Sequence, residues 1–164
     1  MNKYTFTILL DRAPTDDESD ALYDAGLDGN VIQGNGCGSF MVTQPAETLD
    51  EAILAVIDCL RELGLMPVGI ENDDLVNIAD IARRTGRTHE SVRLLAAGKR
   101  GLGGFPAPVT GELYSWEQVR RWFTDYEGAS PAYDAEDATL AAADLFLRAK
   151  VLRPDAGRLV HLVV

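Results

Sequence analysis

Two short helices separated by a glycine, each announced by its own cap, constrain this chain more than any other feature. In Asn77-Ile78-Ala79-Asp80-Ile81-Ala82-Arg83-Arg84-Thr85-Gly86, Asn77 can cap a helix, and Asp80 falls in its first turn, where negative charge is favoured. Gly86 stops that helix. Arg87 follows, and Thr88 caps a second helix over 89–97 that Gly98 stops. Ala82 is the small residue needed where two helices touch, and Gly86 tolerates the positive φ of a tight turn. Ile78, Ile81, Val92 and Leu95 supply a miniature core. This ladder meets the packing demands of a helix-turn-helix. Arg87 departs from the common pattern, because it occupies a turn position that is often aliphatic.

The next stretch, Lys99-Arg100-Gly101-Leu102-Gly103-Gly104-Phe105-Pro106-Ala107-Pro108-Val109, is followed by Leu113-Tyr114, which is expected to return as a strand. Ser115-Trp116-Glu117-Gln118 has the form of a capping box and opens a third helix. Val119, Trp122 and Phe123 on that helix are expected to pack under the first two. The order of these pieces over 77–123, about 47 residues, resembles the winged helix-turn-helix DNA-binding proteins of the MerR and excisionase type. The Phe-Pro-x-Pro stretch is similar to the wing of the excisionase-like members.

The resemblance implies that the second helix enters the major groove of double-stranded DNA by its N-terminal end. Thr88, His89, Glu90 and Arg93 then face the bases, Arg93 toward guanine edges and Glu90 toward cytosine. Arg87, Lys99, Arg100 and the backbone of Gly103 and Gly104 fall to the phosphates. A small winged helix offers few base contacts, so a homodimer reading two half-sites is expected.

The net charge of −11 looks wrong for such a role until it is divided along the chain. Residues 1–74 carry 3 Lys and Arg against 15 Asp and Glu, a net −12, whereas residues 75–123 carry 8 against 4, a net +4. The remainder carries 4 against 7. Such asymmetry marks a nucleic-acid-facing segment within a larger chain. The acidic segment opposes non-specific DNA binding, which favours a protein partner for it as an alternative.

That acidic segment alternates through Tyr4-Thr5-Phe6-Thr7-Ile8, the pattern of a strand. A helix is expected over 16–25, strands over 30–33 and 39–43, a helix from Thr48 to Gly64, and a strand over 66–70. Strand-helix-strand-strand-helix-strand is the ferredoxin-like order. The expected fold class is therefore α+β. A ferredoxin-like βαββαβ module over 1–74, for dimerisation or sensing, precedes a winged helix-turn-helix over 75–126, with residues 71–75 as an acidic hinge. Residues 127–164 are expected to hold a linker over 127–133, a helix over 134–151, a turn over 154–157 and a strand over 159–164. That last strand is apolar and a liability as a bare edge, so it is expected to pair with the N-terminal sheet or a second chain.

Several chemistries find no support. No run of 18 apolar residues exists, and the N-terminus turns acidic at once, so neither a membrane span nor a signal peptide is expected and the cytoplasm is the expected compartment. Cys37 and Cys59 are then reduced thiols, too few and too far apart for a metal ladder, and neither metal nor cofactor is expected. Residues 34–38, Gly-Asn-Gly-Cys-Gly, lack the Lys-Ser/Thr of a P-loop and read as a hairpin turn. Asp16, Asp17, Glu18 and Asp20 cluster at a helix start, where acids are favoured, rather than as a metal site. No Ser/His/Asp or Cys/His nucleophile arrangement is visible, so an enzyme is not expected. A sequence-specific transcriptional regulator is the leading expectation. An excisionase-like or antitoxin-like protein, or a protein–protein adaptor, are the alternatives.

Overall fold

Alternation in the first strand carries through to the core. In the computed structural model, which describes residues 1–34, 37–128 and 135–162, strand β1 (Asn2–Leu10) buries Phe6, Ile8 and Leu10 on one face. The chain is mixed α+β and divides into two units, Met1–Asn72 with Thr139–Val164, and Asp73–Ala138.

In the first unit β1 leads to helix α1 (Asp16–Asp24), strands β2 (Asp28–Gly34) and β3 (Cys37–Ala46), helix α2 (Leu49–Glu62) and strand β4 (Pro67–Ile70). The sheet order is β2-β3-β1-β4, and every neighbouring pair is antiparallel. The β1–β3 ladder runs from Asn2 opposite Ala46 to Leu10 opposite Gly38. Thr15 opens α1 with a reciprocal capping box to Glu18, and Thr48 caps α2 by accepting the Glu51 N–H. The apolar stripe of α2 (Ala52, Ile53, Val56, Ile57 and Leu60) is buried with Phe40 and Val42 of β3 in one core. The expected strand–helix order holds, and β2 and β3 run longer than expected.

Helix α6 (Ala135–Leu152) contributes Leu147 to that core, with Leu140 and Ala143 packed at its margin. Asp144 of the same helix is only 6% exposed. Its Oδ1 accepts the Ile70 N–H at 2.9 Å, and its Oδ2 lies 3.5 Å from Arg148. Ile70 ends the edge strand β4, so a side chain here answers a backbone donor that the sheet leaves open. The strand expected over 159–164 is corrected: residues Ala156–Leu162 form a 3-10 helix, and Val163 and Val164 lie outside the described residues. Local i→i+3 bonds satisfy this backbone instead of a ladder.

The second unit contains strand β5 (Leu75–Val76), helices α3 (Ile78–Thr85) and α4 (His89–Ala96), strand β6 (Tyr114–Ser115) and helix α5 (Trp116–Glu127). Its separate core is Val76, Ile81, Ala82, Val92 and Leu95 closed by Trp116, Val119, Trp122 and Phe123. Two expectations are corrected here. At the expected returning strand only Leu113 turns back, on Val109 and Thr110 at a tight turn, while Tyr114–Ser115 pairs with Leu75–Val76. The acidic hinge is not a passive connector either. The Asp74 carbonyl accepts the Trp116 N–H at 2.7 Å, and its carboxylate accepts the Glu117 N–H at 2.9 Å. Asp74 thereby places negative charge on the open amides that begin α5. Of the linker expected over 127–133, Glu127 ends α5 and Gly128 caps it in the left-handed region; the rest lies outside the described residues.

Candidate nucleic-acid interface

The α3–turn–α4 pair is built by its caps. Asn77 Oδ1 accepts the Asp80 N–H at 2.8 Å, and Asp80 Oδ2 accepts the Asn77 N–H at 3.1 Å. Gly86 ends α3 with φ 67° and ψ 21°, a left-handed conformation that an L side chain adopts only with strain. Thr88 then accepts the Ser91 N–H at 3.1 Å and starts α4. Val92 and Leu95 are buried, which leaves Thr88, His89, Glu90 and Arg93 on the exposed side of α4.

Arg87 is turned inward. Its guanidinium pairs with Glu127 and lies 5.4 Å from the Phe123 ring centroid and 5.5 Å from that of Tyr126. An arginine serves here in place of an aliphatic residue because its stem and planar head cover aromatic rings of α5 while the charge meets a carboxylate. The Arg87 side chain is 26% exposed.

Arg93 is exposed but occupied. Its Nε and Nη2 donate to the two Glu90 carboxylate oxygens at 2.8 and 2.6 Å. The hydrogen bond to Arg93 holds the Glu90 carboxyl below its usual range, with the charges of Arg93, His89 and Lys99 adding to it. The same bond raises Arg93. Three residues apart on a solvated helix, such a pair contributes little to stability.

Lys99 and Arg100 differ from the other cations of residues 75–123. Both are exposed, and among the described residues neither forms an ion pair. Arg83 pairs with Asp80, while Arg120 and Arg121 share Glu117, whose carboxyl Arg120 above all holds low. Arg84 donates to the Asp73 carbonyl at 3.1 Å and sits 5.2 Å from the Trp116 ring centroid.

The glycine-rich segment after α4 is pinned rather than paired. Gly101 has φ 78°, a conformation that favours glycine, and a Cβ there would press on Leu95 at 3.0 Å and Trp122 at 3.1 Å. The Trp122 indole N–H donates to the Gly103 carbonyl at 2.9 Å. Phe105 packs edge-on against Tyr114, Trp122 and Phe123, with centroids 5.7, 5.0 and 6.3 Å away. Gly104 and Leu102 stay exposed between these anchors. The backbone closes on itself at a tight turn, where the Val109 N–H donates to the Leu113 carbonyl at 2.8 Å.

Thr88, His89, Glu90, Arg93, Lys99 and Arg100 are thus each exposed on the second unit, while Arg87 is half-buried in its pair with Glu127. Asp74 anchors the start of α5 and Phe105 anchors the glycine-rich segment on that helix, and neither role was visible in local sequence. Asp74 acts on a helix 43 residues away, and Phe105 shows only as part of a motif.

Among the described residues no three His, Cys, Asp or Glu side chains converge as metal ligands do, and no helix is long and apolar enough to cross a membrane. Burial and the nearby Glu62 push the Cys59 thiol up, away from the reactive thiolate. In comparison with known proteins, no family model, no curated protein and no solved structure matches the chain.

Proposed function

We propose that the chain is a sequence-specific DNA-binding regulator that uses residues 75–126 as a winged helix-turn-helix. The observation that carries this reading is the exposed N-terminal turn of α4, with Arg93 one turn on, in the same unit as Lys99 and Arg100, which form no ion pair among the described residues. In this reading Lys99, Arg100 and the backbone N–H groups of Gly103 and Gly104 hold phosphates. Arg93, released from Glu90, reads a guanine. The pinned segment 99–109 serves as the wing. The fully antiparallel order β2-β3-β1-β4, with helices after β1 and β3, supports reading residues 1–74 as a ferredoxin-like module. That module pairs two copies on DNA half-sites, and the protein works in the cytoplasm. Within the class, an excisionase-like or antitoxin-like protein uses the same surface.

The test is selection of the full chain on a pool of random duplexes at low salt, followed by a mobility shift on the enriched sequence. Enrichment of one sequence supports the proposal; no enrichment and no shift at low salt contradict it.

One observation favours an adaptor as the second reading. Six of the eight cations in residues 75–123 are engaged by acceptors of the chain itself, and residues 1–74 carry −12. Under that reading the duplex selection returns nothing, and a cationic protein partner binds the acidic module.

A further inference from the structure

Within the first unit, a cavity of about 520 Å³ lies between the end of α6 and the stretch that enters β4. Its size falls among ligand sites, which occupy roughly 300–1,000 Å³. Leu65, Pro67, Leu147 and Val151 form apolar walls, and Met66 adds a half-exposed thioether. Leu65 and Leu147 belong to the buried core, so one side of the cavity is fixed by the fold.

Two cations line this apolar space: Arg61 in the last turn of α2 and Lys150 in the last turn of α6. Among the described residues neither forms an ion pair. One acid, Asp11, also lines the cavity, and its charge acts on Arg12 as well. The excess of positive charge is notable because residues 1–72 and 139–164 carry 7 Lys and Arg against 15 Asp and Glu. Cations in so acidic a unit have carboxylates available, yet among the described residues neither of these two is ion-paired. A neutral ligand leaves both cations unanswered, and a cationic one is repelled. A nucleotide-sized polar body wastes the apolar walls.

We propose that this cavity binds a small amphipathic carboxylate, its apolar body between Leu65 and Val151 and its head on Arg61 and Lys150. The inference concerns the first unit alone and does not rest on DNA binding.

Calorimetric titration of the full chain with octanoate, 1-octanol and octylamine tests it, because the three probes share a tail and differ in the head. Octanoate is expected to bind about ten-fold more tightly than octanol, the scale of a charge-assisted contact partly shared with water. Octylamine is expected to bind more weakly than both. The double variant Arg61→Gln/Lys150→Gln should reduce octanoate to the level of octanol and leave octanol unchanged, which also reports that the cavity is intact. Val151→Asp, at a half-exposed wall position, should weaken both octanoate and octanol. Failure of octanoate to bind, octanoate no tighter than octanol, or octanoate affinity kept in the double variant would overturn the proposal.

Discussion

Glu90 grips Arg93 with both carboxylate oxygens, at 2.8 Å from Nε and 2.6 Å from Nη2, on the exposed side of α4. The pair is a competitor built into the proposed reading surface, since Arg93 cannot hold Glu90 and a guanine edge in the same way at once. Glu90→Gln is expected to raise duplex affinity about 2- to 5-fold, the scale set by a weak surface pair. Anisotropy titrations on a fixed duplex check this. Weaker binding by the variant would mean that Glu90 contacts DNA itself, as the sequence reading assigned it, and equal binding would mean that the pair does not compete with the duplex.

The turn between α3 and α4 depends on Gly86 for conformation alone, because a Cβ there meets nothing within 4 Å. Gly86→Ala should therefore cost about 1–2 kcal/mol, the strain of a left-handed L residue. Urea unfolding should show a lower midpoint with an unchanged slope. A stabilised variant would show that the turn does not need this φ.

Asp144 accepts the Ile70 N–H from a buried position. Asp144→Ala leaves that donor unanswered and should cost about 1–3 kcal/mol. Asp144→Asn keeps a carbonyl acceptor and should cost less. If the two variants melt alike, the hydrogen bond is not what holds α6 at the sheet edge.

Acid should loosen the start of α1. Hydrogen bonds from Arg12 first, and then from the Thr15 backbone, lower the Glu18 carboxyl from 4.5 to about 2. A depressed carboxyl contributes stability that is fully present above its unfolded value and is lost as pH falls toward the folded value. The contribution of Glu18 should thus fade between about pH 4.5 and 2. Glu18 is solvated, so screening keeps the effect small. Subtracting the stability-versus-pH curve of Glu18→Gln from that of the wild type isolates it, and a flat difference across this window would remove the assignment.

What could be read in advance was local. The caps at Asn77 and Thr88, the left-handed Gly86 and the buried ladder from Ile81 to Leu95 are set by residues within a turn or two of each other. The strand–helix order of the first unit followed from periodicity in the same way. The misses involve distance. Asp144 meets Ile70 across 74 residues, and Tyr114–Ser115 finds its partner in Leu75–Val76 rather than in its neighbours. The apolar end at 159–164 has the composition of a strand, but composition does not say whether a ladder is on offer, and residues Ala156–Leu162 close on themselves. At the candidate surface the residue types were readable and their engagement was not. Nothing near Arg87 in sequence announces Glu127 or the rings of Phe123 and Tyr126.

The central claim is that one surface of residues 75–126 both holds and reads a duplex. It is tested most directly by salt titration of duplex binding by the full chain, on a selected and a scrambled sequence, for Lys99→Gln, Arg100→Gln and Arg93→Ala. The account predicts that each of the first two variants flattens the slope of log affinity against log salt by about 0.9 per lost phosphate contact on both duplexes, leaving the preference intact. It predicts that Arg93→Ala lowers the preference for the selected duplex by about 5- to 150-fold. Folded variants with unchanged slopes and an unchanged preference would contradict it.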